Sequence, residues 1–240
     1  MATQLGAELT EEIRKTFSEL IGKSKTAKTY IERFEKGIGT IVDADRYAYE
    51  VGQNLTKAFL ENLTVEVLPD GRISYSLAKE FMPPMLEEEF NLVTDATQKI
   101  ITKLNREAGI NLNAVRPNIN WDRVEGLVSG IGNSETLEDA YDYLRSPVQN
   151  FAVHAVDDTI RHNADFQYKS GLQPRIIRST DGTCCEWCNS LAGSYDYPPK
   201  NAAVWQRHEN CNCVISYQPT KMKARRQTLV GGLGKGWQEV

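Results

Sequence analysis

The sequence predicts an α+β fold that is mostly α-helical. A helical body spans residues 1–171 with a short β-hairpin near 64–76, a small α+β module spans 172–219, and a basic, glycine-rich tail occupies 220–240. Three observations predict this. Apolar residues recur at helical spacing through most of the first 170 residues. Past Gly171 short alternating runs replace them. All five cysteines lie between positions 184 and 213. With 240 residues and 40% apolar content the chain can bury a core. No run approaches the roughly eighteen consecutive apolar residues that a membrane span needs. The first residues lack the basic and apolar regions of a secretory signal, so a chain made and kept in a cytoplasm is expected.

Taken in order, Thr10 followed by Glu11 and Glu12 suits a helix N-terminus, with Ile13, Phe17 and Leu20 on one face. Tyr47, Val51, Leu55 and Phe59 keep the same period in a helix over 43–63. Val65 and Val67 alternate with charged neighbours. Pro69, Asp70 and Gly71 then supply turn chemistry, and Ile73 and Tyr75 alternate again, which predicts the hairpin. Pro83 and Pro84 suit a helix start, and Leu86, Phe90, Val93, Thr97, Ile100 and Leu104 form the longest apolar stripe, the helix expected to pack hardest. Glu87, Glu88 and Glu89 then read as first-turn acids complementing its dipole. A short helix follows over 121–128, broken at Gly130 and Gly132. Ser134 or Thr136 caps another through Leu144, and Pro147 opens the last, to about Lys169. Residues 174–179 and 213–217 read as strands.

Charge divides the chain. Residues 1–160 carry 17 Lys and Arg against 26 Asp and Glu, a balance of −9, and residues 161–240 carry 11 against 6, a balance of +5. The basic end is the part suited to an anionic partner, and Lys221, Lys223, Arg225 and Arg226 are its densest cluster. They are candidates for contact with double-stranded DNA or with an acidic protein face.

The cysteines carry the strongest signal. An odd count without an export signal argues against a disulfide framework. Cys185 and Cys188 are spaced Cys-x-x-Cys. After nineteen intervening residues come His208, Cys211 and Cys213. Zinc takes four such donors in a tetrahedron and supplies folding energy where a core is thin. The candidate ligands are therefore Cys185, Cys188, His208, Cys211 and Cys213. The simplest set for one zinc is the first four, with Cys213 able to replace Cys211 and Cys184 adjacent. A full set of soft ligands favours a closed structural site over a catalytic one, although Glu186 and Glu209 could serve as bases. Free cysteines in a reduced fold are the plainer reading, and a redox Cys-x-x-Cys lacks the βαβ context it needs. His154, Asp158 and His162 share one helix face, better read as a solvated or interface side than as a metal site.

The run from Thr180 to Gly193, followed by 208–213, resembles the C-terminal signature of phage minor head proteins related to the F protein of phage Mu. The family pattern is met by Asp181, Cys185, Cys188, Leu191, Gly193, His208, Asn210, Cys211 and Cys213 over about forty residues. Glu209 replaces the usual proline, Asn212 the usual basic residue, and Cys184 is extra. The resemblance implies a non-enzymatic virion protein of the phage head that associates with portal, capsid or scaffold proteins, in some cases contacts packaged DNA, and has no small-molecule substrate. Docking is expected through the acidic first sixty residues or the His154/Asp158/His162 face. The rival readings are a nucleic-acid-binding zinc module, with Trp187, Tyr195, Tyr197 and Trp205 as stacking residues, and a zinc-dependent nuclease.

Overall fold

The computed structural model describes residues 2–180, 184–208, 211–219, 225–226 and 238–239, of which 2–3, 225–226 and 238–239 are described in backbone only. Seven helices build the body: α1 (Ala2–Lys23), α2 (Lys25–Glu35), α3 (Ile41–Asn62), α4 (Tyr75–Glu107), α5 (Trp121–Gly132), α6 (Leu137–Leu144) and α7 (Ser146–Lys169). Helix α3 lies at the centre, packed on α1, α4 and most extensively on α7. Its buried stripe, Tyr47, Ala48, Val51, Leu55 and Phe59, repeats at three and four residues, as an amphipathic helix requires. Gly52 sits where α3 meets α7: a Cβ there would lie 2.7 Å from the Gln149 backbone, so the helices approach too closely for any side chain. Thr40 caps α3 by accepting from the Asp43 N–H, while the Asp43 carboxylate accepts from the Thr40 N–H, a capping box.

Helices α3 and α7 fall close to the stretches the sequence marks for them, and α6 begins after its Thr136 cap. The stripe from Leu86 to Ile100 is core, while Leu104 is only partly buried. Several expectations are corrected. Helix α1 begins at Ala2, and Thr10 lies within it, donating its hydroxyl to the Gly6 carbonyl at 2.7 Å. Residues 64–76 form no hairpin: a tight turn and a 3₁₀ segment, Pro69–Gly71, follow α3. Val65 and Val67 are exposed, and Leu68 and Ile73 alone anchor the segment in the core.

Helix α4 starts at Tyr75 and runs straight through Pro83 and Pro84. Interior prolines cost about 3 kcal/mol each. The stripe continues upstream of them, however, through Leu77, Phe81 and Met82, all buried, and each such side chain contributes about 1.5–3 kcal/mol. The Glu87–Glu89 run is therefore mid-helix rather than first-turn. Glu89 is fully buried, and neither carboxylate oxygen has a hydrogen-bond partner. Helix α5 likewise does not break at Gly130. A Cβ on Gly132 would lie 2.4 Å from Tyr75 Cα, so that glycine serves close packing against α4.

Beyond Gly171 a three-stranded antiparallel sheet forms in the order β2 (Gly193–Asp196), β1 (Arg175–Ser179), β3 (Val214–Gln218). A one-turn helix, α8 (Glu186–Ser190), and a 3₁₀ turn, Ala202–Trp205, connect the strands. Strand β3 is the face that meets the body, touching α3 and α7. The Tyr217 hydroxyl donates to Asn105 at 2.7 Å, and Gln167 donates to the same oxygen at 2.8 Å. The chain is mostly helical with this small sheet at its C-terminal end, as its sequence predicts. Among the described residues no helix is long and apolar enough to cross a membrane.

Candidate metal centre

Helix α8 places the Cys-x-x-Cys pair. Cys185 is its N-cap and Cys188 lies in the first turn, so one turn of helix brings both sulfurs to one side. The segment that leads back to β3 brings the remaining donors. His208 follows the 3₁₀ turn, and Cys211 and Cys213 precede β3. The His208 Nε2 lies 3.3 Å from Cys185 Sγ and 2.9 Å from Cys188 Sγ, and Cys188 Sγ lies 3.8 Å from Cys211 Sγ. Two groups of donors can each hold a metal ion: Cys185, Cys188 and His208, and Cys188, Cys211 and Cys213. They share Cys188. All five predicted donors are thus gathered in one place, and no disulfide links any of the cysteines. Cys184, not counted among the candidate ligands, lies 3.9 Å from Cys213.

The thiols are electrostatically unequal. Hydrogen bonding to the Cys188 backbone holds the Cys185 thiol below its ordinary value, whereas burial pushes Cys188 up. Hydrogen bonding with Cys213 is the largest cause that lowers Cys211, to about 4, and the same contact raises Cys213. With its thiols deprotonated, such a cluster suits a cation.

Two buried arginines, which no sequence motif marks, frame this centre. Arg178 projects from β1 on the same face as Ile176 and is 1% exposed. It donates to the carbonyls of Val204 at 2.8 Å and Gln206 at 2.7 Å, and its other nitrogen lies 3.9 Å from both Cys188 Sγ and Cys211 Sγ. The guanidinium also lies under the Trp187 ring. Arg207, next to His208, reaches the other way. It bonds Asp157 of α7 at 2.5 and 2.9 Å, Asp45 of α3 at 2.9 Å and the Cys213 carbonyl at 2.6 Å. The two carboxylates hold its guanidinium charged against the opposing effect of burial, and burial lifts Asp45 to about 6.

The His154/Asp158/His162 face does not form a metal group. Asp158 pairs with Arg123 of α5 at 2.7 Å, and His154 is largely covered, its imidazole pushed down to about 4 chiefly by burial. His162 alone is exposed, so most of this face is used within the molecule. His154 instead lines an open cleft of ≈ 560 Å³ together with Arg123, Trp187, Trp205, Arg207 and His208. Glu186 is exposed on α8, and Asp181, Glu209 and Asn210 lie outside the described residues. Lys221 and Lys223 also lie outside them. Arg225 and Arg226 are described in backbone only, as a two-residue strand antiparallel to Gln238 and Glu239. Tyr195 donates its hydroxyl to the Leu191 carbonyl and Tyr197 packs on Tyr168, which leaves the two tryptophans as the aromatic walls.

No curated protein and no solved structure matches the chain. Residues 42–239, which include α3 from its second residue, α4 to α8, the three-stranded sheet and every candidate ligand, match the VG15 protein, and the chain belongs to that viral protein family.

Proposed function

We propose that this phage protein is a minor head protein, resident in the virion, that docks to the portal or capsid during head morphogenesis and carries no enzymatic activity of its own. The observation that carries the reading is the cysteine–histidine cluster. The residues that resemble the minor head signature, Cys185, Cys188, His208, Cys211 and Cys213, come together in a chain that belongs to a viral family. A structural zinc fits the donors: with Zn–S near 2.3 Å and Zn–N near 2.0–2.1 Å, tetrahedral edges fall at roughly 3.5–3.8 Å. The 3.3 and 3.8 Å separations lie close to that range, and the 2.9 Å one is shorter. Bound there, the metal would cross-link α8 to the segment leading into β3. The residues do the rest: Arg178 orients the 203–206 turn, and Arg207 ties the module to α3 and α7.

The first sixty residues carry nine acidic and nine basic residues, so they are not the acidic region. The surplus lies beyond them, with Glu135, Glu138, Asp139 and Asp142 exposed around α6. That surface supports docking to a basic face of a head component better than the neutral first sixty residues do. Co-expression with portal and capsid proteins of the same phage should yield a co-purifying complex. Infectious, DNA-filled particles assembled without the gene would overturn the reading. Protein purified without added metal should contain zinc, and absence of both zinc and iron would remove the metal part.

A second reading, contact with packaged DNA, draws on the cleft walled by Trp187, Trp205 and Arg123 and on the cations Lys221, Lys223, Arg225 and Arg226. Neutralising those four should flatten the salt dependence of DNA binding by about one unit of slope per lost phosphate contact. An unchanged slope dismisses the contact.

A further inference from the structure

A single zinc leaves two cysteines unexplained. The described residues bring six soft donors together, five sulfurs and one imidazole, and the two donor groups overlap at Cys188. We infer that the centre is binuclear. One metal is held by Cys185, Cys188, His208 and Cys211, the other by Cys188, Cys211, Cys213 and Cys184, and the thiolates of Cys188 and Cys211 bridge the two ions. The inference rests on the reading that the cluster binds zinc, and adds a second ion to it.

The donor count is the first argument. Two tetrahedra that share an edge need eight corners, and six donors fill them only when two serve twice. Position identifies the two. Cys188 belongs to both donor groups, and Cys211 stands 3.8 Å from it, which is about the length of a shared edge. Cys213 is grouped with both bridging sulfurs, and Cys184 stands 3.9 Å from Cys213, the separation of two terminal ligands on one ion. The donors also lie in the right order through the module. Cys185 and His208 are at the exposed end, Cys188 is buried between, and Cys213 is fully buried beside β3.

Charge gives an independent argument. Five thiolates and two divalent ions leave one negative charge. The Arg178 guanidinium faces the two proposed bridging sulfurs, at 3.9 Å from each. A thiolate bonded to its carbon and to two metals retains one lone pair, which is what an arginine N–H can meet.

The test uses the full chain expressed with ample zinc, its metal content read by elemental analysis and native mass spectrometry. Two zinc ions per chain are expected, falling to one in Cys184→Ser with the helical signal retained. One ion per wild-type chain overturns the inference while leaving the single-zinc reading intact, whereas none overturns both. Replacement by cadmium-113 reads the bridges without any substitution. Two resonances split by mutual scalar coupling support shared thiolates, and a single resonance, or two without coupling, overturns them.

Discussion

The helical body and the C-terminal module solve the same problem with different chemistry. In the body, stripes of leucine, valine and phenylalanine from α1, α3, α4 and α7 meet in one continuous core, and each buried side chain adds its share of apolar area. The module, by contrast, buries only a few apolar side chains, Ile176, Val204, Val214, Ile215 and Tyr217 among them, which pack against the body's core. Beside them its interior holds the Cys188 and Cys213 sulfurs and two guanidinium groups, with His208 at the exposed end of the donor cluster. The difference teaches that a segment too small for a core can be organised by directional polar contacts, provided that every buried charge is matched. Arg207 meets that condition with Asp45, Asp157 and a carbonyl.

The sharpest way to break the comparison is to remove that match. Arg207→Ala leaves Asp45 and Asp157 buried without their cation, and removal of one partner from such a set costs about 3–5 kcal/mol. A urea titration followed by helical signal should show the loss. Because both acids belong to the body, the body should be destabilised along with the module. Unchanged body stability would mean that the two regions are not joined through this residue.

Glu89 is the body's exception, a buried acid without a partner, and it sharpens the comparison from the other side. Its carboxyl is raised well above the ordinary value of 4.5 by burial alone. The folded state therefore favours the protonated form. This contribution is fully present below about 4.5 and is lost as pH rises from there toward the folded value. Glu89→Met, of similar shape, removes both unsatisfied oxygens and should stabilise the protein by roughly 1–3 kcal/mol. The gain should be larger at pH 8 than at pH 4. Urea midpoints at the two pH values check it, and an equal or opposite difference contradicts it. The smallest effect expected is Thr40→Ala, which opens the α3 capping box and should cost about 1 kcal/mol in the same titration.

What the sequence discloses follows the same division. Apolar periodicity locates α3, α7 and most of α4, because packing of one face is what selects those helices. It misses α2, which buries only Ala27 and Phe34, and it misplaces the start of α4 because the burial of Leu77, Phe81 and Met82 outweighs two prolines. Alternation at Val65 and Val67 suggests strands, but those side chains face solvent and no partner strand exists among the described residues. In the module, residue type and spacing name the donors, since only cysteine and histidine offer that chemistry. They cannot name what surrounds them. Arg178 resembles any charged strand residue until its register with Ile176 is known. One usable signal was present. Asp45, Glu89 and Asp157 each fall in phase with an apolar stripe, where an acid must be either paired, as two of them are, or neutral, as burial favours for the third.

The proposed metal, rather than an apolar core of its own, would hold the module together, while Arg207 and β3 join it to the body. Amide hydrogen exchange of the full chain, with and without a strong chelator, tests it most directly. After metal removal, protection in β1, α8 and β3 should collapse while the centres of α3, α4 and α7 keep most of theirs. A sheet that stays protected without metal, or a body that loses protection to the same extent as the sheet, would contradict it.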